Sequence, residues 1–154
     1  MHCFSTCIAR PFTAALVLAK QALERHGLAI LGQVDVRKAL QGYAAVDFGP
    51  YVILSACSLR LAKNAALSTK DEIGPMLLNN LVIRERRQGM VEITAVDPAG
   101  TIGSLNDVEM IQTANDLRCR LRTAIEEIAS LAEYEPVPRG RAVCPPSMPM
   151  GGAT

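Results

Sequence analysis

The sequence predicts an α+β domain in which a single antiparallel sheet carries two main helices on one face, in the order β-α-β-β-(short α)-β-β-α. Two segments, 13–26 and 107–133, repeat apolar residues at the spacing of one helix face. Around them lie short apolar runs separated by turn residues, which is the pattern of strands. The chain has 154 residues, enough to close one hydrophobic core. Helices and strands arranged in this way are typical of α+β folds.

The N-terminal part predicts a strand, a helix and a second strand. Residues 3–9 form the first strand. Thr13 is the expected N-cap of a helix that continues to His26, and Gly27 supplies the left-handed residue that ends it. The second strand is predicted over Leu28–Val36.

Each main helix has one apolar stripe that must pack on the sheet. In the first helix the stripe is Ala15, Leu16, Ala19, Ala22 and Leu23. In the second it is Ala114, Leu117, Leu121, Ala124, Ile128 and Leu131.

The middle of the chain predicts three further strands. Residues 37–50 show too little periodicity to assign, and Tyr51–Cys57 is a nearly continuous apolar strand with both faces covered. Ser58 is placed to cap a short helix that runs to about Leu67. Strands over 78–86 and 90–96 then form a hairpin around a turn at 87–89.

The chain divides into one globular domain, residues 1–134, and a C-terminal tail, residues 135–154. The tail contains five prolines and three glycines, a composition that forbids a regular element. We expect the tail to be disordered.

Composition excludes two classes of partner. The formal net charge is +1, from 16 basic and 15 acidic residues, which is too balanced for binding to a nucleic-acid backbone. Charged residues interrupt every apolar run before it reaches the ~20 residues that a membrane-spanning helix needs. We therefore expect neither nucleic acid nor a membrane as a partner.

Five cysteines at irregular spacing are unlike a secreted disulfide framework and favour free thiols in the cytoplasm. Cys3 and Cys7 are the first candidates for a metal site. On a strand, positions four apart are ~13 Å apart, too far for one ion or one disulfide. Ordinary packing is the simpler interpretation of both residues.

No catalytic signature motif is present in the sequence. The best chemical candidate is Cys57, which ends a strand where a helix is predicted to begin. The positive end of that helix would lower the pKa of the thiol and make it a nucleophile, a redox thiol or a soft-metal ligand. The alternative is that this cysteine only fills space in the core.

Three stretches carry a resemblance to a known family: FTAALVLAKQALERHGLAIL, PYVILSACSLRLAKNAA and IGPMLLNNLVIRERRQGMVEITAVDP. In this order and spacing the chain resembles the family called domain of unknown function 302, over about residues 5–132. The family's Ala-Cys-Asn-Pro segment falls on Ala56, Cys57, Ser58 and Leu59, so its Asn-Pro is replaced. Its Leu-Pro-Cys-Asn segment falls on Leu77, Leu78, Asn79 and Asn80, so its second cysteine is Asn79 here.

The resemblance implies a TATA-binding-protein-like fold and a homodimer, and it implies no activity. Cys57, Ser58, Asn79 and Asn80 are the residues that it marks as a ligand or redox site. The preferred interpretation is a homodimeric ligand-binding or interaction module without catalysis, with a small apolar ligand between sheet and helices. The alternative is a thiol redox, metal-binding or haem-binding protein that uses Cys57. The sequence identifies no cofactor.

Overall fold

A computed structural model describes residues 3–43, 48–60, 62–63, 78–99 and 108–134 of the chain. Its elements are β1 (Cys3–Ile8), α1 (Phe12–Arg25), β2 (Leu28–Asp35), α2 (Val36–Ala39), β3 (Tyr51–Ser58), β4 (Asn79–Arg87), β5 (Met90–Val96) and α3 (Val108–Tyr134). The strands form one antiparallel sheet in the order β1-β5-β4-β3-β2. The predicted fold class is confirmed, and a TATA-binding-protein-like arrangement is compatible with it.

The two main helices pack on one face of the sheet, which we call the inner face. Leu23, Leu121 and Ile128 are completely buried there, and Leu16 packs partly buried against the same core. Each fully buried aliphatic side chain contributes about 1.5 to 3 kcal/mol. The prediction that Leu131 belongs to the buried stripe of the second helix is wrong, because this residue is 40% exposed. Ala132, four residues after Ile128, takes the inward position at the last turn.

The first helix begins two residues earlier than predicted. Pro11 is the residue before α1, and its carbonyl accepts a hydrogen bond of 3.0 Å from the N–H of Ala15. A proline costs no hydrogen bond at a helix start because the first N–H groups have no partner within the helix. Thr13 therefore lies inside the first turn, and its prediction as the N-cap is wrong.

Polar contacts join the end of α1 to α3. Gly27 has a φ of 77°, as predicted for the residue that ends the helix. A Cβ at this position would lie 2.8 Å from Nη1 of Arg120, which donates to the carbonyl of His26. Arg25 Nε donates to Glu127 Oε1 at 2.8 Å, and His26 Nε2 lies 2.9 Å from Oε2 of the same carboxylate. These contacts hold the two helices side by side over the inner face.

The connection after β2, which the sequence leaves unassigned, begins with the short helix α2. Asp35 caps it, since its Oδ1 accepts a hydrogen bond of 3.0 Å from the N–H of Lys38. The predicted second strand is one residue too long because Val36 already belongs to α2.

The predicted hairpin of β4 and β5 is confirmed to within one residue at its ends. Gly89 has a φ of 77°, and its N–H donates to Glu85 Oε1 at 2.9 Å. After β3, residues 59–60 and 62–63 are helical, and the rest of the short helix predicted to Leu67 lies outside the described residues. The predicted tail, residues 135–154, lies outside them too. Among the described helices none is long and apolar enough to cross a membrane.

Candidate functional site

The side of the sheet opposite α1 and α3, which we call the outer face, carries the polar candidates in rows across the strands. Directly opposed residues of paired strands share a face. One row is Tyr51, Arg84, Glu92 and Cys7; the next is Val34, Ile53, Val82, Thr94 and Ser5; then come Gly32, Ser55 and Asn80; the last is Ala29 and Cys57. The prediction that both faces of β3 are covered is not met at Tyr51, Ile53 and Ser55, which are half-buried.

Cys57 lies on the outer face at the end of β3, directly across from Ala29. Its residue is 4% exposed, and its thiol donates to the carbonyl oxygen of Ser58 at 3.4 Å. Burial raises the pKa of the Cys57 thiol. The sequence argument expected a lowered pKa from the following helix, and desolvation has the opposite effect. Cys57 is therefore a protonated thiol at neutral pH.

Asn80 is the second candidate on the outer face. It lies directly across from Ser55, whose hydroxyl donates to Asn80 Oδ1 at 3.0 Å. Cys57 is two residues beyond Ser55 on the same strand, so the three side chains occupy neighbouring positions on one surface.

Ser58 and Asn79 lie on the inner face. Ser58 is buried across from Leu28, and Asn79 is buried across from Ala56. The Oδ1 atom of Asn79 is buried and has no hydrogen-bond partner among the described residues. The sheet thus separates the four predicted site residues into two pairs, because neighbouring residues of a strand point to opposite faces.

This separation bears on positions 57 and 79, where the resemblance described above places the family's two cysteines. Cys57 faces outward and Asn79 faces inward, so side chains at these positions cannot bind one ion or form a disulfide without a change in the strands. Sequence reasoning missed this separation because nothing in the sequence between β3 and β4 indicates how the two strands align.

Cys3 and Cys7 lie on β1, which is a strand as predicted, and both belong to the outer face. Cys3, Cys57 and Cys119 are free, whereas Cys7 is disulfide-bonded. The expectation that all cysteines are free thiols is wrong for Cys7. Within the described ranges, no group of three or more ligating side chains has the geometry to hold a metal ion.

A carboxylate that the sequence analysis did not single out lies between two arginines on the outer face. Arg84 Nε donates to Glu92 Oε2 at 2.8 Å, and Arg86 Nε lies 2.9 Å from the same oxygen. Glu92 is 7% exposed, while both arginines keep more than a third of their side-chain surface in solvent. The sequence contained the signal for this pair, because the predicted hairpin turn places Arg84 directly across from Glu92.

A second polar group lies at one end of the inner face. Asp97 is buried directly after β5, and its Oδ1 accepts a hydrogen bond of 2.9 Å from the N–H of Ala99. Arg118 Nε lies 3.0 Å from Asp97 Oδ2, although its N–H is not aligned for a hydrogen bond. The ion pair links the end of β5 to α3 and neutralises the buried carboxylate.

The chain is similar to proteins that are themselves uncharacterised. Residues 4–128 match the family described as domain of unknown function DUF302. A crystal structure of an uncharacterized conserved DUF302 protein from Bacillus stearothermophilus is similar, at 22% sequence identity and a TM-score of 0.71. The similarity covers 83% of this chain and 98% of that chain, and at this identity it shows the fold alone. No curated protein matches. Since the match to the family covers most of its length, the chain belongs to the family of domain of unknown function DUF302.

Proposed function

We propose that the protein is a small binding module without catalytic activity, which forms a homodimer through the outer face of its sheet. The observation that carries the proposal is the row Val34, Ile53 and Val82, three directly opposed β-branched side chains on three adjacent strands. Val34 is 48% exposed, and the other two are half-buried. Apolar side chains grouped on a surface mark interaction sites.

The row has the symmetry that an isologous dimer needs. Ile53 is its middle residue, with a valine on either side. A two-fold axis through Ile53 would bring Val34 of one copy against Val82 of the other, and Ile53 against itself. A second copy of this chain therefore offers a surface of matching shape and polarity.

The polar side chains beside the row also favour an apolar partner surface. Ser55 is hydrogen-bonded to Asn80, and Glu92 to Arg84 and Arg86. Thr94 donates to Ser5 at 3.4 Å. Polar groups that are already hydrogen-bonded to each other lose little free energy when water is removed from them. A buried polar group without a partner costs about 1 to 3 kcal/mol. A partner does not have to supply complementary polar groups to this face.

The proposal is tested by the change Ile53→Lys, which puts a charge at the centre of the row. We expect the wild-type protein to sediment as a dimer and the variant as a monomer in analytical ultracentrifugation across a concentration series. Val17→Lys is the matched control because Val17 is 52% exposed on α1, away from the outer face, and it should leave the dimer intact. A wild-type protein that is monomeric at every concentration would refute the homodimer.

A small apolar ligand between sheet and helices is the second part of the proposal that came from the sequence. The alanines that suggested it, Ala15, Ala19 and Ala22, are completely buried in the core. At these positions small side chains allow the helix to approach the sheet closely, so support for a ligand there is weaker than for a second copy. Native mass spectrometry tests it, since a reproducible extra mass on the folded protein would identify a ligand.

The alternative function, thiol redox or metal chemistry at Cys57, has less support. A thiol whose pKa is raised by burial is a poor nucleophile at neutral pH. We expect iodoacetamide to modify Cys57 in the native protein much more slowly than the exposed Cys3 at pH 7. Faster modification of Cys57 than of Cys3 would favour the redox function instead.

A further inference from the structure

We propose that one end of the inner face binds a small neutral molecule through Asn79 and Arg118, which together hold an amide-like group with a hydrogen-bond donor next to an acceptor. The inference goes beyond the proposed dimer, because that dimer uses the outer face of the sheet. It also differs from the apolar ligand considered above, since it depends on polar side chains rather than on the alanines of α1.

Three polar side chains lie together at this end of the inner face. Leu81 of β4 lies directly across from Ala95 of β5. Asn79 and Asp97 are each two residues further along, so they are neighbours on the same face of the sheet. Arg118 reaches Asp97 from α3, with 3.0 Å between its Nε and Oδ2. Asn79 and Arg118 are therefore both placed beside one carboxylate.

Asn79 is buried without the hydrogen bond that a buried side-chain oxygen normally has. The residue is 9% exposed, and within the described ranges its Oδ1 atom has no hydrogen-bond partner. Most buried polar atoms in proteins are paired, because otherwise they lose water without a replacement. Since Oδ1 is an acceptor, the group that satisfies it is an N–H or O–H donor.

The Nε–H of Arg118 is the second buried polar group here without a hydrogen bond to any part of the chain that the structure describes. Its Nε atom is buried, although the side chain as a whole is 40% exposed. Nε lies close to Asp97 Oδ2, but the N–H is not aligned on that oxygen. The group that satisfies it is an acceptor such as a carbonyl oxygen. Asn79 and Arg118 thus require opposite partners, which one ligand group can supply.

The charges at this end favour a neutral ligand. Asp97 is 4% exposed, and Arg118 neutralises its carboxylate. A charged ligand would add a third charge without a counterpart where burial makes charges unfavourable. A primary amide, a lactam or a urea has a C=O beside an N–H and carries no charge. Such a group can accept from Arg118 and donate to Asn79.

The side chains beside the two polar groups are short. Ala56 lies directly across from Asn79, and Ala114 is one helical turn before Arg118. They take up less space than the isoleucines and valines elsewhere on the inner face. Because Arg118 extends from the core into solvent, a ligand that binds at Nε can enter beside its guanidinium group.

The stability of Asn79→Leu tests the site without any ligand. Leucine has the branching of asparagine but no polar atom, so removing an unpaired buried acceptor should raise the urea midpoint of the dialysed protein. Asn115→Leu, at an exposed position of α3, is the matched control and should leave the midpoint unchanged. An equal or lower midpoint for Asn79→Leu than for wild type would show that Asn79 is already satisfied within the protein, and would overturn the inference.

Binding is tested by NMR titration with the lactam pyrrolidinone, and with acetate and methylammonium as charged probes. We expect pyrrolidinone to shift the Arg118 Nε–H resonance saturably in wild type and in Asn115→Leu. The Kd in Asn79→Leu should be about tenfold higher, because one hydrogen bond is lost. A shift that does not saturate would mean that only water occupies the site and would overturn the inference. Equal Kd values for Asn79→Leu and wild type, or tighter binding of a charged probe, would overturn it as well.

Discussion

The two faces of the sheet differ in how their side chains are stabilised, by apolar burial on the inner face and largely by polar pairing on the outer face. The inner face is filled by aliphatic residues of the strands and of both long helices, and most of them are completely buried. The outer face combines three adjacent apolar side chains with polar side chains that pair with each other. The inner face therefore contributes most of the folding free energy, while the outer face has features of a surface prepared for a partner.

The largest expected effect is on the inner face. Leu121→Ala should lower the free energy of unfolding by about 2 to 5 kcal/mol, since it leaves a cavity under α3. Urea denaturation measures the loss. Leu131→Ala is the matched control on the same helix, and we expect it to cost less than about 1 kcal/mol because Leu131 lies at the surface and is 40% exposed. Equal losses would contradict the described orientation of α3.

A smaller effect is expected on the outer face. Glu92→Gln leaves Arg84 and Arg86 without their carboxylate and should cost about 1 to 2 kcal/mol, because the exposure of both arginines weakens the pairing. The difference from wild type should shrink in high salt. Glu126→Gln, at an exposed position of α3, should have no measurable effect. A salt-independent loss would indicate that packing rather than charge is responsible.

The pH dependence of Cys57 gives a still smaller effect with a defined sign. Burial raises the pKa of this thiol in the folded state, so the unfolded chain ionises first, at about pH 8.5. Stability due to the neutral thiol is complete below that pH and decreases as the pH rises towards the folded-state pKa. Relative to Cys57→Ala, wild type should lose up to about 1.4 kcal/mol per pH unit in this window. Parallel pH profiles for the two proteins would contradict the burial.

The smallest expected effect comes from Asn79→Cys, which restores the family's second cysteine. Since the two positions face opposite sides of the sheet, we expect Cys57 to remain free after treatment with an oxidant. Alkylation followed by peptide mapping measures this. A disulfide between Cys57 and the new thiol would show that the register of β3 and β4 differs from the one described.

Much of the fold could be predicted because its signals are local. Apolar spacing identified α1 and α3, and turn residues at 87–89 identified the β4–β5 hairpin. The predictions were wrong where a rule based on neighbouring residues was outweighed by another interaction in the folded protein. Thr13 was a suitable cap, but Pro11 is the N-cap and the helix begins at Phe12. The pKa of Cys57 was expected to fall because the helix after it was considered without the desolvation of the thiol.

The sequence alone determined the five strands, the two long helices, most of their apolar stripes and the hairpin register, because periodicity and turn chemistry depend on residues that are close in the chain. Only the tertiary structure decided the strand order, the face on which both helices pack, and the separation of Cys57 and Asn80 from Ser58 and Asn79. These properties depend on pairing between strands that are distant in sequence. The burial of Glu92 and Cys57 also belongs to this second group, since a side chain loses water only when the assembled sheet surrounds it.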